Sequence, residues 1–348
     1  MNIYINARFL TQPVSGVQRY GIECSRKIKK LHPECVFLSP GNIWDENIAN
    51  ELGCIRIGNN TGHMWEQYDL PRYMKKKGGP LWNPCNTAPL LYKNNYITLH
   101  DLAYHHHPGW NTKAFSTWYN FMIPKALRRS KHVFTVSNTI KEEIQQHYHI
   151  PAAKLSVTYN GLSEAMQHNA PATGEKKEKT ILAVGSFNLR KNHHSLIKAF
   201  VESDIKEQYR LVVVGDKNKV FSETGIDETT LAANNITLLR QLNEAELTTH
   251  YRKAEIVVSL SLYEGFGIPV LEGLASGCKV VCSDIPVYKE LYEGNAHFCN
   301  PTDIAAITGQ LKKAINATAP GHEAVQQLMA KYNYETAARM IVNQMLGH

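Results

Sequence analysis

The chain has no run of ~18 consecutive apolar residues, so no segment reads as a membrane-spanning helix. Its opening, MNIYINARFL, has no basic leader followed by an apolar stretch, and no secretory signal is expected. Cysteine is scarce: seven residues, an odd number, scattered and without a CxxC pair. That argues against a disulfide framework and for reduced thiols in the cytoplasm. Aspartate is nearly as scarce, with eight residues, all isolated and none in a D-x-D. Internal repeats and low-complexity segments are missing as well. The run His105-His106-His107 invites a metal reading. Adjacent residues rarely converge on one ion, however, and no paired carboxylate or cysteine motif accompanies them, so no metal is expected.

What is there is an ordinary globular composition over 348 residues. That length favours two domains, since single cores stop growing near about 250–300 residues. The net charge of +7 is uneven. Residues 1–170 carry 19 Lys and Arg against 11 Asp and Glu, whereas residues 171–348 carry 19 against 20. The basic first half suits an anionic partner, either a membrane surface or a phosphorylated substrate. A merely solvated basic surface is the alternative. Lys75-Lys76-Lys77 could touch anionic lipid in the same way. No nucleic-acid partner is expected.

Short β-branched runs alternate with helical periodicity. The first series of strands is expected at Ile3–Ile5, Tyr96–Leu99, Val133–Val136 and Ser156–Thr158. The second is expected at Thr180–Val184, Arg210–Val214, Ile236–Leu239, Ile256–Leu260 and Lys279–Ser283. Short, nearly all-apolar strands separated by helices are the pattern of parallel sheets buried on both faces. Val17, Tyr20, Gly21, Cys24, Ile28 and Leu31 form the apolar stripe of one helix. Asn138–His147 and Asn243–Lys253 begin with capping residues, the latter with Glu246 placed for a capping box. Between the series, Asn169–Thr180 is polar and aperiodic and reads as a linker. The domains expected are 1–168 and 180–331, with residues 169–179 between them. Each α/β unit should bind ligand beyond the carboxyl ends of its strands. A cleft between two such units is the natural active site.

The most informative stretch is Tyr263–Gly277, YEGFGIPVLEGLASG. It follows the strand-like IVVSLSL, with Pro269 suited to the first helical position and Gly277 to the residue past the helix end. Free amides at the start of such a helix suit a diphosphate. Gly265 and Gly267 let backbone approach a ligand closely. Glu264 and Glu272, eight residues apart, would repel a phosphate but can accept hydrogen bonds from sugar hydroxyls. A nucleotide sugar has two sugars flanking one diphosphate, which matches two carboxylates flanking one glycine turn. The bland alternative leaves Glu264 solvated and Glu272 in the first turn complementing the helix dipole.

E-G-F-G-x-P-x-x-E resembles the E-x7-E signature of retaining glycosyltransferases of family 4, whose architecture is GT-B: two Rossmann-like parallel-sheet domains facing across a cleft. VGSFNLRKNHHSLIKAF, LSVTYNG, LHDL and the segment from Tyr332 to Ala337 resemble further landmarks in the same order, so the likeness spans nearly the whole chain. It implies that 1–168 is the acceptor-side domain, joined by a final helix at about 332–348, that 180–331 binds the nucleotide sugar, and that Glu264 contacts the donor sugar and Glu272 the nucleotide ribose. Phe266, Gly267 and Ile268 would offer amides to the sugar, and Val270 and Leu271 to the diphosphate. Arg190 and Lys191 would neutralise the leaving diphosphate, with Gly185 ending the first strand of that domain. Gly16 would belong to a glycine loop facing the diphosphate from the other domain, and His100 would lie beside the transferred sugar. His100 could equally be a buried, hydrogen-bonded histidine.

The chain departs from the family where many members have an arginine after the glycine matching Gly185. Here Ser186 stands there, so the cationic duty falls on Arg190 and Lys191. Without a D-x-D, the charge on a departing diphosphate must be met by those cations and helix-end amides, at about 3–4 kcal/mol per well-placed donor. The resemblance implies front-face attack with retention. It also implies a nucleoside-diphosphate sugar donor, GDP- or UDP-linked, with no separate cofactor. The acceptor would be a glycan or lipid-linked glycan, and the transferred sugar a hexose, with mannose the first choice. The setting would be polysaccharide biosynthesis in the cytoplasm or at the inner membrane face, with the domains closing on substrate. An epimerase or phosphorylase on the same fold is one rival. A dinucleotide oxidoreductase is another, since Asp284 stands 19 residues after Gly265; yet Val270 replaces the third glycine of that fingerprint.

Overall fold

The valine- and isoleucine-rich runs form parallel strands in the computed structural model, which describes residues 2–168, 176–215 and 228–347. Residues 169–175 of the expected linker lie outside the described residues. The chain divides into two compact units, Met1–Asn160 with Asn333–His348, and Gly161–Tyr332.

The first unit holds β1 (Tyr4–Asn6), β2 (Val36–Ser39), β3 (Ile55–Arg56), β4 (Leu81–Asn83), β5 (Asn95–Leu99), β6 (His132–Thr135) and β7 (Leu155–Val157). Their spatial order is β3-β2-β1-β4-β5-β6-β7, and every pairing is parallel. The second unit holds β8 (Glu178–Val184), β9 (Arg210–Val214), β10 (Ile236–Leu239), β11 (Ala254–Ser259), β12 (Lys279–Ser283) and β13 (His297–Cys299). Their order is β10-β9-β8-β11-β12-β13, again all parallel. In each sheet the order reverses at one place, between β1 and β4 and between β8 and β11. Ligands in open parallel sheets bind outside the carboxyl ends at that crevice.

Four strands escape the sequence pattern: β2, β3, β4 and β13. They are two to four residues long, and both residues of β3 are exposed, so they carry too few apolar positions to show a period. The central strands were legible because burial on both faces demands continuous apolar runs. In the second unit Ile181, Ala183, Leu211, Val213, Ile256 and Val258 interlock with Leu196, Ile197 and Phe200 of helix His193–Val201.

Helix Gly16–Leu31 buries Tyr20, Gly21, Cys24 and Ile28 of the expected stripe, leaves Val17 and Leu31 half-buried, and also buries Gln18, Ile22, Glu23 and Ser25. The last helix, Tyr334–Leu346, packs on it, with Tyr20 and Tyr334 edge to face at 6.2 Å. The capping box of helix Glu244–Lys253 is complete, Asn243 and Glu246 satisfying each other's amides. All seven cysteines are free thiols. Among the described residues, no helix is long and apolar enough to cross a membrane.

Candidate active site

In the second unit, the turns after β8 and β11 bring the sequence-singled residues together. After Gly185 the chain makes a single 3-10 turn, Leu189–Lys191, capped by Asn188, whose side chain accepts from the Lys191 amide at 3.1 Å. The Leu262 amide donates to the Arg190 carbonyl at 2.8 Å, which ties the two turns together. Gly185 is required here: a Cβ would press on the aliphatic carbons of Lys191 at 3.1–3.3 Å. Gly215, not singled out in the sequence, is needed for the same close approach, since its Cβ would meet the Gly185 carbonyl oxygen at 2.1 Å. His193 Nε2 donates to that carbonyl at 3.1 Å, and burial holds the imidazole down to about 4, hence neutral.

Lys191 Nζ donates to Glu264 Oε1 at 2.5 Å. The bland alternative of a solvated Glu264 does not hold, because the residue is only 8% exposed. Burial pushes its carboxyl up, but Lys191 first and Arg190 next pull it down to about 2. A charged carboxylate is therefore held beside two cations at the mouth of the crevice between β8 and β11.

The following loop is fixed from behind. Tyr292 Oη donates to the carbonyls of Phe266 and Gly267 at 3.3 and 3.2 Å, and Phe266 packs edge to face on Tyr292 and Tyr332. Gly267 caps the helix Ile268–Ala275 at φ 85°, and a Cβ there would sit 2.2 Å from the Tyr288 ring. The helix starts at Ile268 rather than Pro269, so Glu272 is its fifth residue and lies beyond the first turn. Glu272 is buried, which removes the simple dipole reading as well. The Val270 amide already donates to the Gly267 carbonyl at 3.0 Å, and a ligand oxygen would have to share it.

The other two sequence-singled residues lie in the first unit. Gly16 is exposed and opens helix Gly16–Leu31 after Ser15. His100, just past β5, is 5% exposed, its Nε2 donating to the Pro84 carbonyl at 2.7 Å and its ring set edge to face on Tyr20. Burial lowers its pKa, so the ring is neutral. The environment matches the buried, hydrogen-bonded alternative. His105, His106 and His107 go to ring contacts, with His147 for the first two and Trp110 for the third. Among the described residues, no group of three or more His, Cys, Asp or Glu is placed to hold a metal ion.

A second charged site went unnoticed in the sequence. At the reversal between β1 and β4, Glu66 is 1% exposed on a single π-helical turn, Trp65–Asp69. Its Oε1 accepts from Arg8 Nε at 3.2 Å, Asn6 Nδ2 at 3.1 Å and Thr87 Oγ1 at 3.0 Å. Arg8 Nη2 also donates to Thr87 Oγ1 at 2.9 Å. Burial raises the Glu66 carboxyl, but Arg8 and His63 bring it down to about 2. The residues are scattered over 80 positions, and only the sheet order gathers them. The one sequence signal was polar Asn6 and Asn83 closing otherwise apolar strands.

Known proteins now bear on this geometry. Residues 166–335 match the family model "Glycosyl transferases group 1", and residues 87–165 match "Glycosyltransferase Family 4". The O-antigen chain mannosyltransferase RfbU of Salmonella typhimurium is 31% identical over 261 residues, covering 74% of this chain and 70% of that protein. The chain belongs to the group 1 glycosyltransferases. The O-antigen chain mannosyltransferase B of Escherichia coli is 24% identical over 71% of this chain and 68% of its own. Among solved structures, a glycosyltransferase from Rickettsia africae superposes with TM-score 0.75 at 18% identity, over 99% of this chain and 98% of its own. Anabaena Alr3699/HepE, solved in complex with UDP and glucose, gives 0.74 at 14% over the full length of both. These low identities establish the fold alone, two Rossmann-like units of the GT-B class. Family membership makes the protein a glycosyltransferase, of the hexosyltransferase kind, and sets aside the oxidoreductase alternative.

Proposed function

We propose that this glycosyltransferase moves a hexose, mannose in the first instance, from a GDP- or UDP-linked sugar to a hydroxyl of a glycan or lipid-linked glycan, with retention at the anomeric carbon. The observation that carries the reading is the Lys191–Glu264 pair, with Arg190 beside it, at the strand reversal of the second unit. Lys191 Nζ has three donors, and Glu264 takes one, which leaves two for a diphosphate oxygen. Arg190 shares that charge. Glu264 keeps Lys191 charged and aimed, and Glu272 meets the ribose. In the transfer step the acceptor oxygen bonds to the anomeric carbon as the bond to the diphosphate oxygen breaks. The acceptor's proton passes to that leaving oxygen. The cations and helix-end amides meet the charge, and the absence of a D-x-D in the sequence supports a metal-independent reaction. Mannose is favoured by the two O-antigen relatives, both mannosyltransferases, and a nucleoside-diphosphate donor by the HepE complex. The place of action is the cytoplasm at the inner membrane face, where the exposed Lys75–Lys77 at the end of helix Leu70–Lys77 would meet anionic lipid.

A panel of GDP- and UDP-linked hexoses, scored for thermal stabilisation and for hydrolysis, tests the reading. One nucleotide should stabilise the chain. Glu272→Ala should weaken its binding by about tenfold. Arg190→Ala should slow turnover by about a hundredfold with less effect on nucleotide affinity. Unchanged affinity and turnover in both variants would sink the assignment.

A further inference from the structure

Helix Lys113–Arg129 of the first unit turns apolar side chains both inward and outward. Its buried face is Ser116, Met122, Ile123, Ala126 and Leu127. Trp118 and Phe121 stand exposed on the opposite face, Lys125 and Arg128 continue the same stripe, and Phe115 is exposed one turn earlier. A helix that only completes a core keeps its rings inward and its polar residues outward.

The exposed apolar surface extends past this helix. The His63 ring lies 5.7 Å from Trp118 and 6.1 Å from Tyr119, which brings residues 62–69 against it. Gln67 Nε2 donates to the Ala88 carbonyl at 3.0 Å, and the Leu90 amide donates to Gln67 Oε1 at 3.0 Å. Arg129 Nη1 donates to the Leu90 carbonyl at 3.2 Å. These bonds close three segments into one surface. Each supplies exposed apolar side chains: Met64 and Tyr68 from the first, Leu91 from the second, and the three rings of the helix. Six of the eleven exposed large hydrophobic residues among the described ones are gathered here. Such a concentration marks a surface that something covers.

Its charge indicates what covers it. The helix carries Lys113, Lys125, Arg128 and Arg129 and no Asp or Glu, and Lys93 is exposed two residues beyond Leu91. The two acids of residues 62–69 are engaged within the fold, Glu66 by Arg8 and Asp69 by the Asn60 amide at 2.9 Å. Lysine is depleted from the cores of protein–protein interfaces. Rings beside lysine and arginine, with no acid among them, are the composition of elements that lie in the surface layer of a bilayer. Lys125 Nζ sits 3.1 Å from the centre of the Phe121 ring, so apolar surface and charge are joined side by side. Phe115 stacks on Tyr119 at 3.9 Å and Trp118 on Phe121 at 6.3 Å, so the rings are already held and lose little freedom on insertion.

We propose that this face of the first unit seats on an anionic bilayer. Phe115, Trp118 and Phe121 enter the boundary between headgroups and acyl chains, while Lys125 and Arg128 meet the lipid phosphates. Insertion is shallow, because Met122, Ile123, Ala126 and Leu127 lock the other side of the helix into the fold. The inference deepens the membrane setting proposed above and rests on it. It moves the principal contact from Lys75–Lys77 to a surface that pairs cations with rings, and it involves no step of sugar transfer.

The test is co-sedimentation of the full chain with vesicles of phosphatidylcholine alone and of equal parts phosphatidylcholine and phosphatidylglycerol. The chain should pellet with the anionic vesicles and stay largely in solution with the neutral ones. Phe115→Ser combined with Phe121→Ser should weaken binding by about tenfold, and Lys125→Gln combined with Arg128→Gln by about as much. All four positions are exposed, so melting followed by circular dichroism should be unchanged, which shows that both variants are folded. Vesicles with brominated acyl chains should quench the tryptophan fluorescence of the native chain. Trp118→Phe should still bind but lose most of that quenching. Replacing Lys75, Lys76 and Lys77 together by Gln should weaken binding less than either pair. The proposal is overturned if the native chain ignores anionic vesicles, if the Phe115 and Phe121 variant binds as the native chain does, or if the quenching survives Trp118→Phe. Binding lost with the three lysines but kept without the rings would leave the earlier contact standing and overturn this one. A chain that ignores vesicles yet is stabilised by GDP or UDP would keep the donor reading and sink this surface. A dimer in light scattering that the ring variant abolishes, with no vesicle binding, would assign the face to a second copy instead.

Discussion

Lys191 and Glu264 show how much one contact decides. A carboxylate 8% exposed is tolerable only because a lysine ammonium sits 2.5 Å away and an arginine lies beyond it. Removing the lysine strands the carboxylate, and Lys191→Ala should cost about 3–5 kcal/mol in urea unfolding besides abolishing transfer. A variant as stable as the native chain would mean that water reaches Glu264 freely. The same pair sets an acid limit. The carboxyl ionises near 2 in the folded chain against an ordinary 4.5. Between these values the unfolded chain binds the proton and the folded chain does not. The stabilisation is therefore complete above about pH 4.5 and drains as pH falls toward 2, on the order of 3 kcal/mol in all. Glu264→Gln should lose its share of that slope in unfolding measured from pH 5 to 3, and an identical slope would refute the linkage. Both glutamates of the E-x7-E motif were legible as residues. Their burial was not, because it depends on segments far along the chain, as when Lys191 reaches Glu264 across 73 positions.

At the scale of elements, the loop between β11 and helix Ile268–Ala275 is where local sequence and tertiary packing agree. Gly267 takes φ 85°, which an L side chain rarely adopts, and the Tyr288 ring fills the space a Cβ would need. Gly267→Ala should destabilise the chain by at least about 2 kcal/mol, and nucleotide binding should weaken with it as the helix start shifts. Calorimetry with and without nucleotide measures both, and a neutral variant would show the loop to be plastic. The glycine, the proline and the helix end were visible in the sequence because turn chemistry is local. The one-residue offset of the helix start was not, and it moved Glu272 out of the first turn. Strands β8 to β12 were visible for a different reason: double-sided burial leaves an unbroken apolar run. Strands β2, β3, β4 and β13 are too short for that, and partners far along the chain define them.

On the scale of the whole molecule, the last sixteen residues belong to the unit that begins the chain. Tyr334, Ala338, Ile341 and Met345 are buried, and their helix packs on Gly16–Leu31. Deleting residues 333–348 should loosen the first unit, exposing Tyr20 and Cys24, and leave the second protected. Hydrogen exchange followed by mass spectrometry reads both at once, and protection lost equally in the two units would contradict the division. The family resemblance assigned this last helix to the first domain, and the contacts bear that out; its local pattern alone does not say which unit it covers.

By itself the sequence determined the class of fold and the E-x7-E motif. Hydrophobic period, turn residues and E-x7-E spacing are all relations among neighbours, and neighbours are what a linear string records. Only the tertiary structure decided that Glu264 is buried on Lys191, that Gly215 must yield to the Gly185 carbonyl, and that Arg8, Glu66 and Thr87 share one corner. Those are contacts between segments as much as a hundred residues apart. They arise from the order in which parallel strands are laid down, and no local pattern encodes that order.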